Sequence, residues 1–353
     1  MRIFLFFTAI SAAMNTIAEP FLAVENGFHC IQCHISPAGG GSRNQYGALF
    51  SQTQLPARTS SSDNMWAGGF ADRFTLGSDV RASLRQIDMD NVDDTENFST
   101  DRVTLYIGAQ LTDRVSVYLD EQIAPGGSIN RAAWVKFNLS DSLYVRAGKM
   151  FLPFGLRLED DSAFIRQLSN VNFNTADNGL ELGYIKDSWS LQLAVSNGTA
   201  GASEVDDGKQ ISLLGSYVQP NWRVGITVND NHTDFTDRAM TGIFAGLRTG
   251  RVTWLVEYDK IDDRTPGMAD DELSLAFVEA NIRMAQGHYL KITAETAMSD
   301  NNGMADQDRY AIEYQYFPFS FTQLRLGARS YESDDPDPFL NRDELFAQLH
   351  VFF

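Results

Sequence analysis

Residues 102–120 read RVTLYIGAQLTDRVSVYLD, and their alternation decides the fold class. Val103, Leu105, Ile107, Ala109 and Leu111 fall on one face of an extended chain, and Arg102, Thr104, Tyr106, Gly108 and Gln110 on the other. Thr112-Asp113 then supplies a tight turn, and Val115, Val117 and Leu119 alternate with Arg114, Ser116, Tyr118 and Asp120. A period of two over about ten residues fits a strand with one face in lipid and one in water.

The pattern recurs at Leu191, Leu193 and Val195, at Val224, Ile226 and Val228, and at Leu324, Leu326 and Ala328. Sixteen segments are predicted, starting near residues 70, 101, 114, 130, 142, 178, 188, 209, 221, 240, 251, 272, 287, 307, 319 and 343. Tight turns at Thr112-Asp113, Ser140-Asp141, Asp187-Ser188, Pro220-Asn221, Thr249-Gly250, Gln286-Gly287 and Pro318 alternate with longer polar loops, such as Asp88 to Thr100 and Ile261 to Asp271. Short turns on one side and long loops on the other belong to an outer-membrane barrel. The chain ends ELFAQLHVFF, with Leu345, Ala347, Leu349, Val351 and Phe353 on one face, and its terminal Phe resembles the recognition signal of such barrels. A soluble β-sandwich also alternates, but it explains neither that end nor the turn pattern.

Composition agrees. The 353 residues carry 46 acidic and 28 basic side chains, and no apolar run reaches the length a spanning helix needs. The acidic excess argues against nucleic acid, whose phosphates call for Lys and Arg. Residues 1–18, MRIFLFFTAISAAMNTIA, have one early cation, a short apolar core and small residues at the end, as in a secretory signal. The expected class is therefore all-β: a sixteen-stranded antiparallel transmembrane β-barrel over 69–353 in the outer membrane of a Gram-negative bacterium, following a small N-terminal module.

That module spans 19–50, joined by a polar linker over 51–68. It contains FHCIQCHISPAGGGSRNQYG, residues 28–47, with both cysteines of the chain. In C-x-x-C-H two thiols add to haem vinyl groups and the adjacent imidazole ligates the iron, so Cys30, Cys33 and His34 predict one covalent haem c with His34 proximal. A Cys30–Cys33 disulfide with His34 incidental is the competing reading in an oxidising compartment. A thiol redox site is a third, although no thioredoxin-like βαβ pattern surrounds the motif. Pro37 and Gly39 to Gly41 would let the chain pass close to a flat ring; Arg43 is a candidate propionate partner; Asn44, Tyr46 and Phe50 are candidates to close over the haem edge. For the sixth ligand, parity points His350 into the lumen and makes it the first candidate, with Met150 and Met65 as alternatives. His29 adjoins Cys30, and His232 and His288 read as loop and interface residues.

Two resemblances follow. VRAGKMFLPFGLRLEDD, residues 145–161, resembles a segment of phosphate-selective porins, which implies that the long stretch 151–177, with a short helix near Ala163 to Ser169, can fold inward and narrow the lumen. The whole chain resembles the fused outer-membrane cytochrome-porins: a signal, one C-x-x-C-H at the mature amino end, a proline soon after, the pair Tyr46-Gly47, and a barrel to the terminus. That resemblance implies electron exchange between an extracellular donor or acceptor and a periplasmic cytochrome or other carrier, with iron(II) oxidation as the known activity. The segment Gly39 to Gly41 with Arg43-Asn44 departs from iron oxidases and leaves the substrate open.

Acidic clusters at Asp88 to Glu96, Glu159 to Asp161, Asp262 to Asp271 and Asp334 to Asp337 are expected to concentrate cations at the outer mouth, or simply to be solvated. Three functional readings stand: a haem-plugged electron conduit, a solute-selective porin with a disulfide-stapled plug and anion-favouring Arg102, Arg114, Arg146, Arg325 and Arg329, and a haem-bearing sensor or assembly partner.

Overall fold

The computed structural model describes residues 19–59, 65–71, 73–89, 92–234, 236–267, 269–300 and 304–353; the expected leader over 1–18 lies outside them. Among the described residues sixteen antiparallel strands form a closed ring, with a two-residue strand, Gly69–Phe70, at its rim. The strands begin at residues 74, 92, 115, 129, 143, 177, 189, 210, 222, 237, 252, 271, 288, 307, 322 and 342. The ring closes where Arg342–Phe352 pairs with Phe74–Met89, from Arg342↔Met89 to Phe352↔Asp79. Closure leaves no sheet edge unpaired, the condition for a sheet to stand in hydrocarbon.

Parity holds around the ring. Leu105, Ile107, Leu191, Leu193, Val195, Val224, Ile226 and Val228 point outward and are exposed to the lipid side. Trp189, Tyr217 and Trp222 form an aromatic rim beside the short turns, with ring centroids 4.8 and 5.7 Å apart. The inward-facing set behaves unlike that of an open channel: Thr104, Asp120, Arg146, Glu181, Asn229 and Asp259 are all 0 % exposed. Something fills the lumen, and two parts of the chain do so.

The first is the stretch 151–177, which folds inward. Its short helix α1 (Phe164–Gln167) and the residues Phe154, Leu156, Leu158 and Ile165 pack against Phe244, Leu255 and Phe277 of the wall. The three consecutive acids Glu159, Asp160 and Asp161 meet wall arginines: Glu159 pairs with Arg81, Asp160 with Arg309 and with Arg329 at 3.3 Å, and Asp161 with Arg102. Wall carboxylates return the favour, Leu156 N donating to Glu257 at 2.7 Å and Phe164 N to Glu295 at 2.5 Å. Glu159 to Asp161 are therefore not part of an outer acidic field, as the sequence suggested; they are neutralised inside the barrel.

The second is the N-terminal segment, described below. A further departure is the first hairpin: the expected loop Asp88 to Thr100 is mostly strand, paired up to Met89↔Val92, so the acids Asp93, Asp94 and Glu96 sit on a protruding ribbon. Among the described residues no group of three or more His, Cys, Asp or Glu side chains is arranged to hold a metal ion.

Arg309 is buried between Asp160 and Glu295. Removing one partner of a buried pair leaves uncompensated charge and costs about 3–5 kcal/mol. Arg309→Met is expected to lower stability to urea by roughly that amount and to make the stretch 151–177 cleavable by added protease in the folded barrel. An unchanged cleavage pattern would show that the latch does not hold the loop.

Candidate functional site

The N-terminal segment enters as helix α2 (Pro20–Asn26), with Pro20 in the first turn and Gly27 ending it at φ 66°. It is bonded around the short-turn end of the barrel. Glu19 pairs with Lys291 at 3.1 Å and Glu25 with Arg283 at 3.0 Å, while Arg248 donates to the Glu25 carbonyl at 2.9 Å. His29 Nε2 lies 3.0 Å from the carbonyl of Asp187, Arg146 donates to Ser36 Oγ at 3.3 Å, and Ser42 N donates to Tyr118 Oη at 2.9 Å. Further on, Ala57 N donates to the Phe317 carbonyl at 2.8 Å. These partners come from strands on all sides, so the segment sits in the mouth of the lumen.

Within it, Cys30–Gln32 forms a 3-10 turn in which His34 N donates to the Cys30 carbonyl at 2.9 Å. Helix α3 (Gln45–Thr53) packs directly on this turn. Asn44 caps α3 by accepting from Gly47 N at 2.9 Å, and its amide donates to the carbonyls of Ile31 and Gln32 at 3.0 and 3.1 Å. Asn44 thus ties motif to helix rather than closing over a ligand. Gly47 faces the backbone of Cys33 so closely that an added Cβ would lie 3.0 Å from Cys33 Cα and nearer still to its carbonyl. Gly39, Gly40 and Gly41 all take left-handed φ, at 77°, 68° and 62°. Gly39 lies under the Cys30 thiol, Gly40 against Phe173, and Gly41 against Tyr118 of the wall.

Cys30, Cys33 and His34 line one cavity, with about 1110 Å³ of space between atoms, part of it open to solvent. Pro37, Ala38, Phe50, Phe154, Leu156, Leu214 and Phe244 make it largely apolar, and Arg43 lines it too. Cys30 and Cys33 are not bonded to each other in this structure. Burial pushes the Cys33 thiol up, although Arg43 opposes the shift. Burial, aided by the Arg43 guanidinium, pushes the His34 imidazole down to about 3, which keeps it neutral at physiological pH. His34 Nδ1 is buried with no hydrogen-bond partner among the described residues. Two thiols, a neutral imidazole and an apolar slot beside glycines without side chains are the donor set and the space a covalent haem requires.

The sixth-ligand candidates lie elsewhere. His350 faces the lumen as parity predicted, but its nitrogens lie 3.1 Å from Gln323 and 3.1 Å from Asp79, and it does not line the cavity. Met150 is packed among Tyr106, Tyr118 and Trp134, and neither it nor Met65 lines the cavity. Tyr46 is half exposed in an aromatic trio with Phe28 and Phe50, and only the latter two reach the cavity. Missed in the sequence were Arg157 and Arg223, which also line it. Arg223 had a signal in its lumen parity next to Val224; Arg157 depended on the long loop turning inward. The linker reading of 51–68 missed that Gln52 holds Trp66 through two bonds of 2.6 and 2.8 Å.

The lumen arginines expected to favour anions are largely paired: Arg102 with Asp161, Arg146 with Glu181 at 2.6 Å, Arg325 with Glu313 at 2.6 Å and Arg329 with Glu344 at 3.3 Å; Arg114 lies in an exposed turn.

No family model and no curated protein matches this chain. Among solved structures, it is similar to an anion-selective porin from Comamonas acidovorans, with TM-score 0.64 and 11% identity over 79% of this chain and 99% of that one. It is similar to a loop-deletion form of OmpT, an outer-membrane protein of Vibrio cholerae, with TM-score 0.62 and 11% identity over 80% of this chain and all of that one. The outer-membrane channel DcaP of Acinetobacter baumannii gives TM-score 0.58 and 11% identity over 80% and 100%. The fold is that of outer-membrane porins.

Gly47→Ala is expected to push α3 off the motif turn. In reduced protein, maleimide labelling of Cys33 should then speed up at least several-fold, and equal rates in the variant and the parent would contradict this packing.

Proposed function

We propose that the protein is an outer-membrane electron-transfer protein of porin fold, whose N-terminal segment holds one covalent haem c through Cys30, Cys33 and His34. The observation that carries the reading is the shared placement of both free thiols and the imidazole on one apolar cavity inside a filled barrel. When bound, the haem supplies one-electron exchange at its iron. His34, kept neutral by burial, would ligate the iron. Helix α3 and Asn44 fix the turn that presents the three side chains, and Phe50, Phe154 and Phe244 line the cavity and would keep water from a group held there. With short turns facing the periplasm, this module lies near periplasmic carriers, and an extracellular donor or acceptor, iron(II) being the one the family resemblance implies, would meet the far side.

The fold comparisons by themselves stand nearer to a second reading, a solute channel whose N-terminal segment acts as a plug, since the similar solved proteins include an anion-selective porin and an outer-membrane channel. The charge-paired wall supports no strong anion preference for it.

The test is expression with cytochrome c maturation factors, followed by haem staining of a denaturing gel beside Cys33→Ala. A stained band near 39 kDa that disappears in the variant is expected. A folded barrel with no covalent haem in the parent would overturn the electron-transfer reading in favour of the solute channel, to be followed by solute uptake.

A further inference from the structure

Most arginines inside this barrel are paired. Arg81, Arg102, Arg131, Arg146, Arg309, Arg325 and Arg329 each face a carboxylate within ion-pair distance. Arg43, Arg157 and Arg223 form no ion pair among the described residues, yet all three line the cavity of the C-x-x-C-H motif. Each has buried guanidinium nitrogens without a hydrogen-bond partner: Nε and Nη2 of Arg43, Nη1 of Arg157 and Nε of Arg223. Arg166 also has orphaned nitrogens, as do the paired Arg131, Arg146 and Arg309 at Nε, but none of these lines the cavity. The carboxylate on the lining, Glu19, is taken up by Lys291 at 3.1 Å and Gln315 at 3.2 Å.

The existing contacts of the three are with uncharged groups. Arg43 donates to the Gly47 carbonyl at 3.4 Å and lies over Phe352, Arg157 donates to the Leu152 carbonyl at 2.8 Å and lies over Phe151, and Arg223 lies over Phe244. Burial drives the Arg43 guanidinium down to about 10, with Glu159 and Asp79 opposing, and burial together with Arg166 and Arg146 lowers Arg157 as well. Buried unpaired cations are costly, whereas a guanidinium fork matches a carboxylate in shape and charge. Arg43 lies close enough to act on Cys33, Arg157 on Cys30, and Arg223 on His29, the residue before Cys30.

We propose that Arg43, Arg157 and Arg223 form a carboxylate-binding set that receives the two propionates of the haem held by Cys30, Cys33 and His34, an assignment that rests on the haem reading above. The set holds the edge of the ring and places positive charge beside it. Reduction removes one positive charge from the iron centre, so nearby cations favour the reduced form and raise the midpoint potential.

The experiment compares the full-length holoprotein with Arg157→Gln, Arg223→Gln and Arg157→Lys by spectroelectrochemical titration, folding being checked by heat-dependent migration on a gel. Each Gln variant is expected to keep its covalent haem and to shift the reduction equilibrium about tenfold toward the oxidised form, about 59 mV for one electron. Arg157→Lys, which keeps the charge, should retain most of the parent potential. Arg223 lies on the barrel wall, so its variant stands even if Arg157→Gln disturbs the inward loop. Covalent haem with unchanged potentials in both Gln variants would overturn this assignment alone. Absence of haem from the parent would overturn it together with the electron-transfer reading.

Discussion

The structure depends on one constraint: in hydrocarbon every backbone N–H and C=O must be bonded within the chain. The pairing of Arg342–Phe352 with Phe74–Met89 meets it by closing the ring. Closure forces alternate side chains inward, and because this chain puts Arg, Asp and Glu at many of those positions, the interior must be neutralised or wet. Here most of it is neutralised. The inward loop brings three acids to four wall arginines, and the N-terminal segment brings Glu19 and Glu25 to Lys291 and Arg283.

That arrangement places the motif. The segment is held at its ends and middle by barrel groups, the turn Cys30–Gln32 is fixed by Asn44 and by the close approach of Gly47, and the inward loop supplies Phe154, Leu156 and Arg157 as the opposite wall. The cavity is thus shared by three parts of the chain. None of them alone encloses it, which ties any ligand to the closed, filled state of the barrel.

The barrel was legible because parity is a local signal: Val103, Leu105 and Ile107 announce their face without knowledge of the rest. Strand starts were read to within a few residues except the second, where Asp93, Asp94 and Glu96 looked like loop yet stand on a paired ribbon outside the lipid zone. The motif residues were legible by spacing. Less so was what surrounds them. Asn44 was read as an edge contact, whereas the structure makes it the cap of a helix, tied to the carbonyls of Ile31 and Gln32. His350 was given the right face, but parity carries no height along the barrel, and Asp79 and Gln323 occupy it there. The destination of Glu159 to Asp161 depends on arginines 59 to 169 residues away, which no local pattern contains.

The central claim is that the N-terminal segment fills the lumen at the short-turn end. Conductance in planar lipid bilayers tests it most directly, comparing the whole chain with a form lacking residues 19–58. The account predicts almost no current through the whole chain and larger, porin-like steps after the deletion. Steady porin-sized conductance from the intact protein, equal to that of the shortened one, would contradict it.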